Sequence, residues 1–385
     1  MTGAGAPVHE GDAVPVAFVS SHAGRGGSES YLNLLLEYLK PAWISTVVCL
    51  QDGPQVDELR SRGLPVEVVS TGTRFPQILA AAWRLRRLLL RAGSAVVHAN
   101  GVKAALVAAA ATIGTKTPVI WVKYDVSRDG WQARLIAARC FRVIGVSAFV
   151  TATFRGKTRE KVEVLHVKIP TPVVELAEAR RIVLELFGPD EPDAVVAVVG
   201  RLDPFKGQAE LLDCAPEVLR RNPRTRFLFV GGDDPAHPGG RQALQQMATE
   251  KGVEHAVRFT GHRADATALI SGSDVLVIAG GNNERGIGME GFPIVGLEAL
   301  ALGTPVVGYA HGGLPEQVGE CGTLVPSGDR AALTEALVGL VADPAHRERL
   351  AGCGRELFQS RYEFSTLPEE FAERYRRAVS AEWPR

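Results

Sequence analysis

Short aliphatic runs alternate with helix-length stretches along the whole chain, and that alternation is laid out twice. In the first half the runs are Val16–Ser20, Ser45–Leu50, Pro65–Val69, Ala95–Ala99, Pro118–Val122 and Arg142–Val146, with helical stretches such as Phe75–Arg91 and Ala104–Ile113 between them. Apolar runs of this length, separated by helices, predict parallel strands covered on both faces. The pattern restarts at Val195–Val199, Arg226–Val230, Val257–Thr260, Val275–Ile278, Pro305–Gly308 and Gly322–Val325. Between the two sets, Pro170 and Pro172 interrupt both helix and central strand. The expected fold is α/β, with two Rossmann-like doubly wound parallel-sheet domains facing a central cleft. Ligands would gather there, beyond the carboxyl ends of the strands. The expected bounds are a disordered tail at 1–15, an N-terminal acceptor-binding domain at 16–170, a C-terminal nucleotide-sugar domain at 171–364 and a helix at 365–385.

Charge narrows the partners. With 43 basic residues against 43 acidic ones, the chain lacks the electrostatic footprint of a nucleic-acid binder. Five cysteines, at 49, 140, 214, 321 and 353, are odd in number and widely separated, which is neither disulfide-framework nor zinc spacing and fits a reducing cytoplasm. The first fifteen residues have no positive start or apolar core of a signal peptide. Ala104–Ile113 is too short to span a bilayer, so no integral membrane association is expected. Trp83–Arg91 reads as a packed helix with a solvated cationic face, with transient membrane association as the alternative, so the expected location is cytoplasmic or peripheral to a membrane.

A nicotinamide fingerprint is tested by the loop Gly24-Arg25-Gly26-Gly27-Ser28-Glu29. Gly24 and Gly26 have the right spacing, but Glu29 occupies the place of the third small residue, and Asp52 reads as a turn residue rather than a ribose ligand. A dehydrogenase is discounted.

The informative segment runs from Glu290 to Glu298, followed by Gly303 and Val306–Val307. Pro293 suits a first helical turn and Gly303 a C-terminal stop, which sets Glu290 just ahead of a helix and Glu298 within it. The first amides of that helix, at Gly291, Phe292, Pro293, Ile294 and Val295 less the proline, lack intrahelical acceptors and would receive anionic oxygen. Seven helical residues advance about 10 Å, the span of a diphosphate with its flanking sugars.

This segment, with Gly200-Arg201-Leu202-Asp203-Pro204-Phe205-Lys206-Gly207 before it, resembles glycosyltransferase family four, retaining enzymes of the GT-B fold. The likeness extends to Val146-Ser147, the turn His311-Gly312-Gly313-Leu314-Pro315-Glu316 and a terminal helix that in relatives crosses back to the first domain. It implies transfer of a hexosyl group from a nucleoside diphosphate sugar, UDP-sugar favoured over GDP-sugar, to a hydroxyl of a small molecule or glycan. It implies no cofactor and no metal, and Gly232-Asp233-Asp234-Pro235 reads as a turn. By matching position, Arg201 and Lys206 would bind the departing diphosphate, Glu298 the ribose, and Glu290 the transferred hexose. The Gly291–Pro293 backbone would lie near that sugar, Arg263 near the base, and Gly26 and Gly27 near the phosphate or acceptor. His98 would touch the sugar or position the acceptor; Asn100, Lys123, Tyr124, Asp125 and Asp129 would face the acceptor, with Tyr124 where many relatives carry histidine. The loop Gly280–Met289 would close on the donor. A nucleotide-sugar 2-epimerase, or a non-catalytic nucleotide-sugar binding protein, would share these contacts.

Overall fold

The computed structural model describes residues 13–381, except Arg25, Thr73, residues 127–129, Asp190, residues 235–236 and residues 282–288. The tail expected at 1–15, apart from its last three residues, thus lies outside the described residues, as do Asp129 and most of the loop expected to close on a donor. The chain divides into two compact units: one is formed up to Val167 and again from Phe364, the other by Lys168–Glu363.

The first unit holds a seven-stranded sheet in the order β3-β2-β1-β4-β5-β6-β7. Its strands are β1 (Val16–Ser20), β2 (Ile44–Cys49), β3 (Val66–Val68), β4 (Val96–Asn100), β5 (Val119–Lys123), β6 (Arg142–Gly145) and β7 (Val162–Val164). Every pairing is parallel. β1 and β4 are buried at every position, as expected for strands with helices on both faces. β7 was not foreseen: three half-buried residues give too short a pattern to distinguish from a loop. Chain order reverses between β1 and β4, so the loops after Ser20 and Asn100 leave the topological switch point, where open sheets bind ligands.

The second unit repeats the plan with six parallel strands ordered β10-β9-β8-β11-β12-β13. These are β8 (Ala194–Val199), β9 (Thr225–Val230), β10 (Val257–Gly261), β11 (Val275–Ile278), β12 (Val306–Tyr309) and β13 (Gly322–Val325). Val196, Val198, Phe227, Phe229, Val275 and Val277 form the centre of its core against Leu211, Leu212, Leu333 and Leu337 from the covering helices. Burial of each such side chain contributes about 1.5–3 kcal/mol. Here the switch point falls between β8 and β11, which puts the loop 200–207 and the segment beginning at Ala279 side by side.

Two expectations are corrected. Cys321 and Cys353 are joined in a disulfide, with Cα atoms 5.2 Å apart and a sequence separation of 32. Their spacing conceals the pairing because it is made by packing of helix Pro344–Arg361 against the turn Gly319–Cys321. Cys49, Cys140 and Cys214 remain free and buried, as core residues. Pro293 is the residue before the first helical turn rather than within it: helix Ile294–Leu302 begins one position later.

The chain leaves the second unit at Glu363, and helix Leu367–Ser380 packs in the first. Phe371 and Tyr375 on that helix are buried, and Tyr375 meets Phe18 and Trp43 with ring centroids 6.2 Å apart in each case.

Candidate functional site

In the second unit the loop after β8 is drawn tight. Asp203 Oδ1 accepts from the amide of Phe205 at 2.7 Å, and Gln208 Nε2 donates to the carbonyl of Arg201 at 2.8 Å. Gly207 has φ of +83°, and a Cβ there would lie 2.5 Å from the carbonyl carbon of Ala279 and 2.8 Å from the nitrogen of Gly280. Only glycine permits this backbone-to-backbone approach, which docks the loop carrying Arg201 and Lys206 onto the segment leaving β11.

Lys206 and Glu290 form an ion pair between their Nζ and Oε1 atoms, each side chain being about 30% exposed. Glu290 is held by its backbone: its carbonyl accepts from the amide of Gly313 at 2.9 Å, and Gly312 at φ +63° leaves no space for a side chain against that carbonyl. The carbonyl of Pro293 accepts from Gly296 at 3.1 Å and from Gln317 Nε2 at 2.9 Å. Gln317 is fully buried and thereby fixes the start of helix Ile294–Leu302 from the next helix along the chain. The amides of Ile294 and Val295, in the first turn, have no intrahelical acceptor and point their partial positive charge out of the helix end. Phe292 is buried with its ring 5.6 Å from Tyr362, which secures the Gly291–Pro293 backbone from behind.

Glu298 stands one and a fraction turns further on, half-buried. Burial raises its carboxyl to about 7, and among the described residues it has no ion-pair partner to oppose this. A desolvated carboxylate in this state is a strong acceptor for paired hydroxyls. Arg201 is more open, with a side chain 59% exposed and Nη1 3.2 Å from the buried Asp234. Arg263 is held by both oxygens of Asp265 at 2.6 and 2.7 Å, which lowers the Asp265 carboxyl below its usual range.

Sequence reading left three contributors to this site unassigned. Asp234, read as a turn residue, anchors Arg201. Gln317 carries no local signal, since its partner is 24 residues away. His311, named only within its turn, is half-buried with neither ring nitrogen hydrogen-bonded among the described residues. No group of three metal-ligating side chains is found among the described residues.

In the first unit the expected residues separate. Gly26 and Gly27 are exposed at the start of helix Gly27–Tyr38, where backbone approach is open. Asp125 is exposed and Tyr124 half-buried. His98 is 1% exposed, its Nδ1 lies 2.7 Å from the Tyr375 hydroxyl, and Phe18 and Phe371 pack on its ring. It faces the terminal helix, which covers β4 on that side. Asn100 and Lys123 are likewise 1% exposed. Asn100 donates to the Ser28 carbonyl at 3.2 Å and accepts from the Tyr124 hydroxyl at 2.5 Å, and Lys123 donates to the Asp125 carbonyl. These contacts shape the loops after β4 and β5.

Residues 193–343 match the family described as Glycosyl transferases group 1, and residues 26–168 match the Glycosyl transferase 4-like domain. A GDP-mannose-dependent alpha-(1-6)-phosphatidylinositol monomannoside mannosyltransferase of Mycolicibacterium smegmatis is 32% identical over 63% of this chain and 66% of its own length. A D-inositol 3-phosphate glycosyltransferase of Corynebacterium efficiens is 34% identical over 49% of this chain and 44% of its own. The chain thus spans less than two thirds of the length of either relative. Among solved structures, HepE of Anabaena in complex with UDP superposes with a TM-score of 0.81 at 22% identity, covering 94% of this chain and 99% of that one. Sucrose-phosphate synthase of Thermosynechococcus elongatus gives 0.76 at 21%, covering 96% and 100%.

Proposed function

The chain belongs to glycosyltransferase family four and has the GT-B fold, and from that premise we propose that it is a retaining hexosyltransferase using a nucleoside diphosphate sugar. The observation that carries this reading is the Lys206–Glu290 pair, set beside the open amino end of helix Ile294–Leu302 with Glu298 further along it. The pyrophosphate lies against the Ile294 and Val295 amides, with Lys206 and Arg201 supplying fixed positive charge as the leaving group departs. Glu290 accepts hydrogen bonds from the hexose hydroxyls, and Glu298 from those of the ribose. Arg263 stands toward the base.

In the reaction the anomeric carbon loses its bond to the phosphate oxygen and gains one to the acceptor oxygen on the same face. The acceptor proton passes to the departing phosphate, so no side-chain nucleophile is required. Charge develops on that phosphate, which is where the helix end and Lys206 act most strongly.

Calorimetric titration with uridine, guanosine and thymidine diphosphates identifies the base. Mass spectrometry with the preferred donor and a panel of hydroxyl acceptors, including inositol phosphates, then identifies the product. A new glycoside of retained configuration supports the proposal. An isomerised free donor would make the protein an epimerase, and tight donor binding with no turnover on any acceptor would make it a binding protein.

A further inference from the structure

Helix Phe75–Arg91 buries Ala81, Ala82, Leu85 and Leu89 and leaves Phe75, Leu79, Trp83 and Leu90 between 49% and 71% exposed. At about 100° of rotation per residue, these four lie within a stripe about 80° wide. Arg84, Arg87 and Arg91 fill the arc next to it, all exposed. From Arg74 to Arg91 the sequence has five arginines and no acid. Elsewhere the exposed arginines 181, 220 and 377 each pair with a glutamate on their own helix. Arg84, Arg87 and Arg91 have no ion pair among the described residues, and Arg87 rests 4.6 Å over the Trp83 ring. Arg86 donates to the carbonyl of Ile113 at 2.6 Å, which ties a further exposed aliphatic residue beside the helix. A cavity of about 390 Å³ lies against the same helix, lined by Ala80, Ala81 and Arg84 with Ser70, Thr71 and Gln77.

We infer that this face docks on an anionic lipid bilayer. Phe75, Leu79, Trp83 and Leu90 enter the boundary between headgroups and acyl chains, while Arg84, Arg87 and Arg91 meet lipid phosphates. An apolar stripe with Trp and Phe, flanked by uncompensated arginines, is the composition of a helix that lies in a membrane interface. Charge decides against a second copy of the chain, because a two-fold contact would set these arginines against their own kind with no acid on either helix. No helix among the described residues is long and apolar enough to cross a membrane, so attachment by this face would be peripheral and reversible.

The test is flotation of the full chain with phosphatidylcholine vesicles, with and without phosphatidylglycerol, at low and high salt. Binding to the anionic vesicles alone, weakened by salt, is expected. The triple variant R84Q, R87Q and R91Q should lower the partition coefficient on the order of 100-fold. Trp83→Ala should weaken it on either side of that charge dependence, and both variants should melt like the wild type because the altered side chains are exposed. Absence of flotation with anionic vesicles, equal binding to neutral ones, or a triple variant that floats unchanged would each overturn the inference. The measurement uses no donor and no turnover, so it succeeds or fails independently of the proposed reaction.

Discussion

Lys206 is ion-paired with Glu290 across 84 residues of sequence, one on the loop after β8 and the other on the segment after β11. A diphosphate that reaches Lys206 must share or displace this pair. Glu290→Gln should therefore tighten binding of a nucleoside diphosphate without sugar by a few-fold, given ~0.5–1 kcal/mol for a partly exposed pair. The same change should cut transfer steeply, since the proposed hexose contact is lost. Lys206→Ala should weaken diphosphate binding about 10- to 100-fold. Calorimetry and product assays separate the two effects; a Glu290→Gln enzyme that binds more weakly and turns over normally would contradict this account.

Glu298 gives a pH dependence with a definite sign. Its carboxyl is raised by burial from an ordinary 4.5 to about 7, so the folded state holds more protons than the unfolded one between those values. Its stability contribution is complete below about 4.5 and is lost as pH rises through about 7. Glu298→Gln, which cannot ionise, should gain on the wild type by on the order of 1–3 kcal/mol at pH 8 and lose that advantage near pH 4.5. Thermal melts at both pH values read this directly. An unchanged difference between the two proteins would show that the carboxylate is solvated.

Much of this arrangement was legible because it is written locally. Glu290, Glu298 and Gly303 fall within one helix and its flanks, and Gly303 does stop that helix with φ +75°. The two sheets were visible because their strands are uniformly apolar, as in the fully buried β1 and the nearly continuous β8. What escaped depends on partners distant in sequence. Nothing near His98 announces Tyr375, 277 residues later, and an inward and an outward histidine look alike at a strand end. Gln317 under Pro293 and Asp234 beside Arg201 were hidden for the same reason. Asn100 and Lys123 carry polar groups that suit a ligand, and their hydrogen bonds to Ser28, Tyr124 and Asp125 have no signal in the sequence.

The buried His98 should make the first unit acid-sensitive. Burial lowers its imidazole from an ordinary 6.5 to about 3, so the unfolded chain binds a proton in this interval that the folded chain refuses. Stability from this group is present above about 6.5 and is lost as pH falls toward about 3. His98→Phe removes the titration while leaving the Tyr375 hydroxyl without its partner, at a cost of about 1–3 kcal/mol. Urea unfolding across that range should show a flatter pH profile for the variant than for the wild type. Parallel profiles would mean that carboxylates elsewhere account for the acid transition.

The Cys321–Cys353 bridge closes a 32-residue segment that includes β13 and helix Arg330–Ala342, both part of the second unit's core. Cross-linking a loop of that length removes chain entropy from the unfolded state worth about 3–4 kcal/mol. A reductant should therefore lower the melting temperature of the second unit in the wild type. The double variant Cys321→Ser with Cys353→Ser should melt at the lower temperature whether or not reductant is present. Because Cys321 precedes β13 at the amino end of the parallel sheet, whereas Lys206 and Glu290 follow the carboxyl ends of β8 and β11, nucleoside diphosphate affinity below the melting range should be the same in oxidised and reduced protein. A wild type indifferent to reductant would show that the two thiols are unlinked in solution, and an affinity that follows their redox state would place the bridge in the donor site's own equilibrium.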